Sequence, residues 1–213
     1  MKLPKPSEGG GDLEPIPAGT HVGVCYRFID LGTQKVEFQG QIKMQRKVTI
    51  SWITPDELMS DGRPFSVHKR YTWSMHEKAS LRHDLESWRG KAFTAEDFDG
   101  ENAFNTRKLL GQGCMLTVTH DTRDGKTYTN VASVGKLMKG IKLPPLTEPT
   151  VYLSLEPGEF DQTVFDGLKD GLKKIIMASP EYAEVSSGKR QKPASVQDDD
   201  DFGGHSPDDD IPF

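Results

Sequence analysis

A strict alternation over residues 42–52 is the feature that most restricts how this chain folds. Its even positions are apolar except for one arginine and its odd positions are all polar: Ile42, Met44, Arg46, Val48, Ile50 and Trp52 against Lys43, Gln45, Lys47, Thr49 and Ser51. A period of two is typical of a β-strand with one face in a core and the other in water. Thr54-Pro55 ends this pattern because proline cannot donate to a strand ladder.

The middle of the chain continues in the same way, with one change of period. Residues 65–75 alternate, and residues 22–28, 35–38, 114–120 and 127–134 are strand-like, with Asp30-Leu31-Gly32 as a loop signal and Asp124-Gly125 as a hairpin turn. Between residues 78 and 88, Leu81, Leu85 and Trp88 recur at helical spacing, and Gly90 follows as a stop.

Three strands, a helix and a two-strand hairpin predict a mainly β domain of the OB-fold type. That fold is a five-stranded, partly open barrel with a helix between strands three and four, and the surface of its strands two and three takes up oligonucleotides. We expect the barrel to occupy residues 19–142, after a Pro- and Gly-rich flexible arm over residues 1–18.

The chain beyond the barrel divides into two further segments. Residues 143–187 combine a proline-rich connector with an amphipathic helix expected over residues 160–177. Gly167 and Gly171 each weaken that helix by about 1 kcal/mol relative to alanine, so we expect packing on the barrel or on another subunit to hold it. Residues 188–213 are expected to form a disordered acidic tail.

The net charge of −5 conceals a separation of charge along the chain. Residues 16–142 hold nineteen Lys and Arg against fourteen Asp and Glu, or +5, whereas residues 143–187 hold three lysines against eight acids, or −5. The last sixteen residues contain seven aspartates and no Lys or Arg, or −7. Such asymmetry indicates a basic binding body with an acidic interaction tail.

The last six residues resemble the C-terminal tip of bacterial single-stranded-DNA-binding proteins, in which a polar linker ends in aspartates and Ile-Pro-Phe. They read Asp208, Asp209, Asp210, Ile211, Pro212 and Phe213. The body has a more general resemblance to bacteriophage single-stranded-DNA-binding proteins, including its segment Leu110-Gly111-Gln112-Gly113-Cys114. The two resemblances imply binding to single-stranded DNA in replication, recombination and repair, with the tip recruiting a helicase, polymerase or nuclease.

The chemistry of the tip supports an interaction role independently of any family. Phe213 and Ile211 suit an apolar pocket on a partner, and Pro212 reduces the conformational entropy that binding removes. The aspartates steer the tail toward basic surfaces and so raise the association rate. A generic solubilising tail would not explain an aromatic residue at the last position.

Single strands bind to cationic grooves that also carry aromatic faces. The phosphate-binding candidates are Lys43, Arg46, Lys47, Lys69 and Arg70, and the base-stacking candidates are Trp52, Tyr71 and Trp73. Trp52 shares a side with Val48 and Ile50, which favours a place in the core over one in the platform. Tyr71 and Trp73 share a side with Lys69, so for these two rings core and platform both remain open.

Catalysis, cofactors and metals are not indicated. The six histidines are scattered, and no nucleophile stands beside a base in the pattern. Cys25 and Cys114 lie in strand-like runs without metal-ligand spacing, which is typical of buried thiols in a reducing compartment. No apolar run is long enough for a membrane helix, so we expect a cytoplasmic protein of a bacterial or phage-infected cell.

The sequence therefore predicts a non-enzymatic protein that binds and protects single-stranded DNA without sequence specificity. Two alternatives stay open. One is an adaptor that displays the tip to host proteins without touching DNA, and the other is a strand-annealing recombination protein. The oligomeric state is not set by these patterns, and pairing of subunits is possible.

Overall fold

Six strands form a single open sheet. The computed structural model describes residues 14–38, 40–99, 103–123, 125–143, 145–146 and 148–187. The strands are β1 (Gly19–Phe38), β2 (Gln41–Leu58), β3 (Pro64–Thr72), β4 (Gly113–Arg123), β5 (Lys126–Lys136) and β6 (Val151–Leu153). The helices are α1 (Ser80–Arg89), α2 (Gln162–Asp166), α3 (Asp170–Met177) and α4 (Pro180–Ser186), with short 3-10 turns at Ala95–Asp97 and Thr106–Leu109.

The sheet order is β3-β2-β1-β4-β5, with antiparallel neighbours throughout. Helix α1 lies between β3 and β4 and buries Leu81, Leu85 and Trp88. The expected fold class is confirmed: a mainly β protein whose sheet is not closed, consistent with a partly open barrel that carries additional helices.

Asp84 of α1 links the helix to β3 and β5, the two strands at the ends of the sheet order. Its Oδ2 accepts hydrogen bonds from Lys69 Nζ at 2.8 Å and Tyr71 Oη at 2.7 Å, and its Oδ1 accepts one from the backbone N–H of Val134 at 3.4 Å. Lys69 Nζ also lies 3.3 Å from the carbonyl oxygen of Ala132 on β5. The helix thus bridges β3 and β5, which are not hydrogen-bonded neighbours.

Strand β1 is longer than its sequence pattern predicts, and the expected loop at Asp30-Leu31-Gly32 is wrong. The strand continues to Phe38, with the register shifting between Asp30 and Gly32. Gly32 takes a φ of 69°, and its backbone N–H donates to Asp30 Oδ1 at 2.9 Å. A bulge with a glycine in the left-handed region therefore replaces the loop, because it lets the strand bend without ending.

The expected helix over residues 160–177 is wrong in its extent. Asp161 caps α2 by accepting from the N–H groups of Thr163 and Val164, and the helix ends at Asp166 with Gly167 as its C-cap. A new helix, α3, begins only after the extended Lys169. The short helix α4 follows with Ser179 as its cap, and the sequence pattern did not predict it.

The segment after residue 150 packs on the outside of β1. Strand β6 pairs with β1 in parallel over Arg27–Ile29, and the pattern did not predict this strand. Ile29 and Leu31 form a second hydrophobic cluster with Leu153 of β6 and with Phe165 and Ile176 of the helices. The barrel and these helices therefore share β1.

The termini differ in how much of them the structure describes. The expected flexible arm is described from Glu14 onward, and there Ile16 is buried in the barrel core, so that expectation is wrong for residues 14–18. Residues 1–13 and the expected tail from residue 188, including the tip, lie outside the described residues. No helix of the described part is both long and apolar enough to cross a membrane.

Candidate nucleic-acid interface

The register of β1, β2 and β3 separates the predicted site residues onto two opposite faces of the sheet. Three rows run across the strands on the face opposite the barrel core, since Arg27 pairs with Ser51 and Ser51 with His68, while Thr49 pairs with Arg70 and Lys47 with Thr72. We call the polar part of this surface the outer face; it comprises Arg27, Lys47, Thr49, Ser51, His68, Arg70 and Thr72. Ile29 of β1 pairs with Thr49 on the same side and is buried under the C-terminal segment.

The outer face is cationic and rich in hydroxyl groups. It contains two arginines, a lysine and a histidine among serine and threonine side chains, and none of its seven members is acidic. Lys47 is 5 % exposed and its Nζ donates to Thr72 Oγ1 at 3.1 Å, which ties the lysine to the sheet surface. Thr49 Oγ1 bonds to the carbonyl oxygen of Lys69 at 3.5 Å. The predicted phosphate ligands Lys47 and Arg70 therefore lie in neighbouring rows.

Arg27 belongs to this face although its sequence pattern did not single it out. Its guanidinium carbon lies 5.1 Å from the centroid of the Tyr26 ring, and Tyr26 Oη is 2.8 Å from Ser66 Oγ. A register shift between Cys25 and Arg27 rotates the strand at this point. The alternation along β1 is enough to place Arg27 on the side opposite the apolar residues of that strand. Its neighbours across the sheet depend on the bulge, which the alternation does not predict.

Arg46 lies on the opposite face and is held by two carboxylates. Its Nη2 lies 2.5 Å from Asp30 Oδ2 and its Nη1 lies 2.7 Å from Glu156 Oε1. Burial alone would lower the pKa of Arg46, but its hydrogen bond to Asp30 and the two negative charges raise it above the ordinary arginine value. These contacts satisfy the guanidinium within the protein, so Arg46 is not offered to a phosphate.

Two of the three expected stacking rings are unavailable, which corrects the prediction for Trp52 and Tyr71. Trp52 is fully buried in the barrel core, 6.0 Å from the Trp88 ring. Tyr71 is 1 % exposed, and burial together with the Asp84 charge raises its pKa well above that of free tyrosine. Lys69 binds the same carboxylate at 2.8 Å. Both rings pack inward, because Trp52 alternates with Val48 and Ile50 on the buried side of β2 and Tyr71 pairs with Val48 across β2 and β3.

Trp73 is the expected stacking ring that stays accessible. Its side chain is 40 % exposed, and its ring meets the edge of Phe28 at a centroid distance of 6.0 Å and an angle of 76°. The backbone N–H of Trp73 donates to the carbonyl oxygen of Arg46 at 2.7 Å, which fixes the residue just past the end of β3. Lys43 is exposed on the β1–β2 hairpin, beyond the rows of the outer face.

A cleft at the end of the barrel contains further aromatic residues that the sequence pattern did not identify. Tyr152 of β6 stacks on Phe28 at 5.4 Å and 17°, and the guanidinium carbon of Arg107 lies 4.0 Å from the centroid of the Tyr152 ring. The cleft beside Arg107 has a volume of about 330 Å³ and is also lined by Glu159 and Asp161. These carboxylates make the cleft a poorer phosphate site than the outer face.

The structure thus brings Lys47 and Arg70 together on the outer face. It places Arg46, Lys69, Trp52 and Tyr71 on the other side of the sheet, and the accessible Trp73 lies on that side too, beside Phe28 and Arg46. The partner-binding candidates Asp208 to Phe213 lie outside the described residues. Among the residues that the structure describes, no group of three or more His, Cys, Asp or Glu side chains is placed to hold a metal ion. A comparison with models of known families finds no match, and a comparison with curated proteins finds no significant similarity.

Proposed function

We propose that this protein binds single-stranded DNA without sequence specificity through the outer face, and that its C-terminal tip recruits replication or repair proteins. The observation that carries the proposal is the row pattern of the outer face, in which Arg27, Arg70 and Lys47 occupy successive rows. Successive rows on a strand lie about 6.6 Å apart, since each residue rises about 3.3 Å. The three cations lie on different strands, Arg27 on β1, Lys47 on β2 and Arg70 on β3. Together they spread positive charge across the sheet, which suits the negative charge of a nucleic acid backbone.

The chemistry of the face favours single strands without sequence preference. Lys47, Thr49 and Ser51 are buried, so the members that reach the surface are Arg27, His68, Arg70 and Thr72. These side chains offer charge and a hydroxyl group to phosphate and sugar, and such contacts carry no base information. Trp73 adds an exposed ring at the edge of β3, on the side of the sheet opposite the outer face and beside Phe28. A base stacked on an aromatic ring is worth roughly 1 to 3 kcal/mol whatever its identity. Proteins that combine these two elements bind single strands in general.

The tip supports the second half of the proposal. Asp208, Asp209 and Asp210 precede Ile211, Pro212 and Phe213 at the end of the sequence, and a short acidic segment with an aromatic anchor suits a basic-rimmed apolar pocket. We propose a helicase, polymerase or nuclease of the replication and repair machinery as the partner, in the cytoplasm of a bacterial or phage-infected cell.

The test is fluorescence anisotropy with a labelled poly-dT oligonucleotide and a duplex of the same length at low salt. We expect tighter binding to the single strand, with an affinity that falls as salt rises because phosphate contacts release counterions. The double variant His68→Gln/Arg70→Gln should weaken binding several-fold. Arg63→Gln is the matched control, since Arg63 is exposed in the β2–β3 turn and pairs with Asp61.

Equal affinity for single strand and duplex would contradict the proposal. Equal binding by the His68→Gln/Arg70→Gln variant and the Arg63→Gln control would show that the outer face is not the interface. A protein that binds partners through the tip and no DNA at all would be an adaptor.

A further inference from the structure

We infer that Arg27 forms a phosphodiester-binding subsite on the outer face. This rests on the proposed function, because the phosphodiester it would take belongs to the bound strand. The inference starts from hydrogen bonding: among the described residues, three buried side-chain nitrogen atoms have no hydrogen-bond partner, namely Arg27 Nε, Trp52 Nε1 and Arg89 Nη1. Native proteins leave few such atoms unsatisfied, so each one needs a physical explanation.

Two of the three atoms are explained by their surroundings. Trp52 is fully buried within the barrel core, where the apolar area of the ring outweighs one unmade bond. Arg89 binds Asp97 through Nη2 at 2.8 Å, and its guanidinium carbon lies 4.3 Å from the centroid of the Phe93 ring. Its charge is therefore neutralised within the protein even though one of its nitrogen atoms is unmatched.

Arg27 has no such compensation in the described part of the chain. No carboxylate there lies within ion-pair distance of its guanidinium, whereas Arg46, Arg63 and Arg82 each pair with one. A guanidinium stays charged at any physiological pH, so its proton cannot be released to relieve the cost of burial. The unsatisfied donor and the unneutralised charge both call for an anionic acceptor.

The position of Arg27 identifies the class of anion. It shares a row with Ser51 and His68, and the neighbouring row carries Arg70. A single carboxylate would meet one of these cations, whereas a strand of phosphates meets several in succession. The fork of donors on a guanidinium matches the oxygen pair of a phosphodiester, and the Tyr26 ring beneath it holds the plane of the group in place.

The test compares Arg27→Gln with Arg63→Gln as a control of equal charge change. Binding of the full-length protein to labelled poly-dT is measured across a series of salt concentrations. Loss of one phosphate contact should reduce the slope of log affinity against log salt by about 0.7, and affinity at low salt should fall roughly tenfold, as for the loss of a hydrogen bond to a charged group. Arg27→Lys should keep the slope and recover only part of the affinity, because it keeps the charge and loses the fork. Urea unfolding of each variant checks that it remains folded.

A second measurement needs no DNA strand. The Nε–H resonance of Arg27, assigned by its absence in Arg27→Lys, should shift when inorganic phosphate is added, and should shift further with a thymidine dinucleotide. A carboxylate of the acidic tail is the competing ligand, so a synthetic peptide of residues 198–213 is titrated in parallel.

The two failures are distinguishable. If the wild-type protein prefers single strands but Arg27→Gln keeps the slope and affinity of the Arg63→Gln control, the subsite is excluded and the proposed function stands. If the wild-type protein shows no preference for single strands, the proposed function fails. The titration of the Arg27 Nε–H resonance then decides whether Arg27 is an anion subsite. A shift with phosphate retains an anion subsite at Arg27, whereas no shift, or a shift only with the acidic peptide, overturns it.

Discussion

Arg46 Nη2 lies 2.5 Å from Asp30 Oδ2, and this ion pair joins β2 to β1 at the place where the C-terminal segment attaches. The same carboxylate accepts from the backbone N–H groups of Gly32 at 2.9 Å and Leu155 at 3.2 Å. Arg46 reaches onward to Glu156 at 2.7 Å. A single buried carboxylate therefore holds the bulge of β1, the adjacent strand and the chain that follows β6.

Replacing Asp30 with alanine should lower the free energy of unfolding by roughly 3 kcal/mol, because it leaves two backbone donors without their acceptor and leaves Arg46 with only the exposed carboxylate of Glu156. Urea denaturation measures this loss. Asp61→Ala is the control, since the Asp61 and Arg63 side chains are 48 % and 73 % exposed and such surface pairs contribute about 0 to 1 kcal/mol. Equal losses in the two variants would show that Asp30 has no special role.

Gly32→Ala should separate the C-terminal helices from the barrel. A Cβ at this position would overlap with Oγ and Cβ of Ser179, and the φ of Gly32 is 69°. Gly62 has a φ of 83° with open space around it, so Gly62→Ala isolates the backbone cost of about 1 to 2 kcal/mol. We expect Gly32→Ala to lose a further 1 to 3 kcal/mol through overpacking. Circular dichroism with urea compares the two, and identical midpoints would contradict the clash.

Much of the barrel follows from local patterns. The alternation of Val48, Ile50 and Trp52 fixes which face of β2 is buried, and the spacing of Leu81 and Leu85 fixes α1, because both periods depend only on nearby residues. The bulge at Gly32 and the pairing of β6 with β1 depend on contacts that are distant along the chain. No local period encodes these contacts, so the sequence pattern reads one as a loop and does not detect the other.

The site divides along the same line. The alternation along each strand predicts that Lys47 and Arg70 lie on the face of the sheet opposite Tyr71, and the structure has that arrangement. The alternation does not reveal that Asp84 neutralises Lys69, or that Asp30 neutralises Arg46, since those carboxylates come from other elements. A charged residue in an apolar row indicates either a bulge or a counterion from another element, and for Arg46 the counterion is Asp30.

Trp73 should report DNA binding by fluorescence. Of the three tryptophans it is the exposed one, since Trp52 and Trp88 are buried, and a base stacked on its ring should quench its emission. Trp73→Phe should abolish most of the quenching by poly-dT while largely retaining affinity, and Trp73→Ala should weaken binding by about 1 to 3 kcal/mol. Quenching that persists in Trp73→Phe would place the DNA elsewhere.

The buried thiols should make stability depend on alkaline pH. Burial raises the pKa of Cys25 from its ordinary value of 9.0 to about 12, and burial also raises the pKa of Cys114. A raised pKa means that the folded state holds the proton longer, so this stabilisation is complete below pH 9 and is lost as pH rises from 9 toward 12.

The measurement is urea unfolding between pH 8 and pH 11 in reductant. Each thiol should contribute up to about 1.4 kcal/mol per pH unit to the decline once the unfolded chain ionises. Cys25→Ala serves as the comparison, because it should have a shallower decline whatever its stability at neutral pH. Parallel curves for the variant and the wild-type protein would show that Cys25 ionises freely in the folded state.

Removing residues 198–213 should tighten DNA binding and abolish partner recruitment. This segment carries −7 and residues 16–142 carry +5, so the tail and the DNA compete for the same cations. The gain in affinity should be several-fold at low salt and should shrink above about 0.15 M, where the screening length falls below about 8 Å.

Replacing the seven aspartates with asparagine should reproduce the gain while keeping Ile211-Pro212-Phe213, and deleting Phe213 alone should lose the partner and leave DNA affinity nearly unchanged. Anisotropy at several salt concentrations separates these effects, and an unchanged affinity after truncation would remove the competition while leaving DNA binding itself intact.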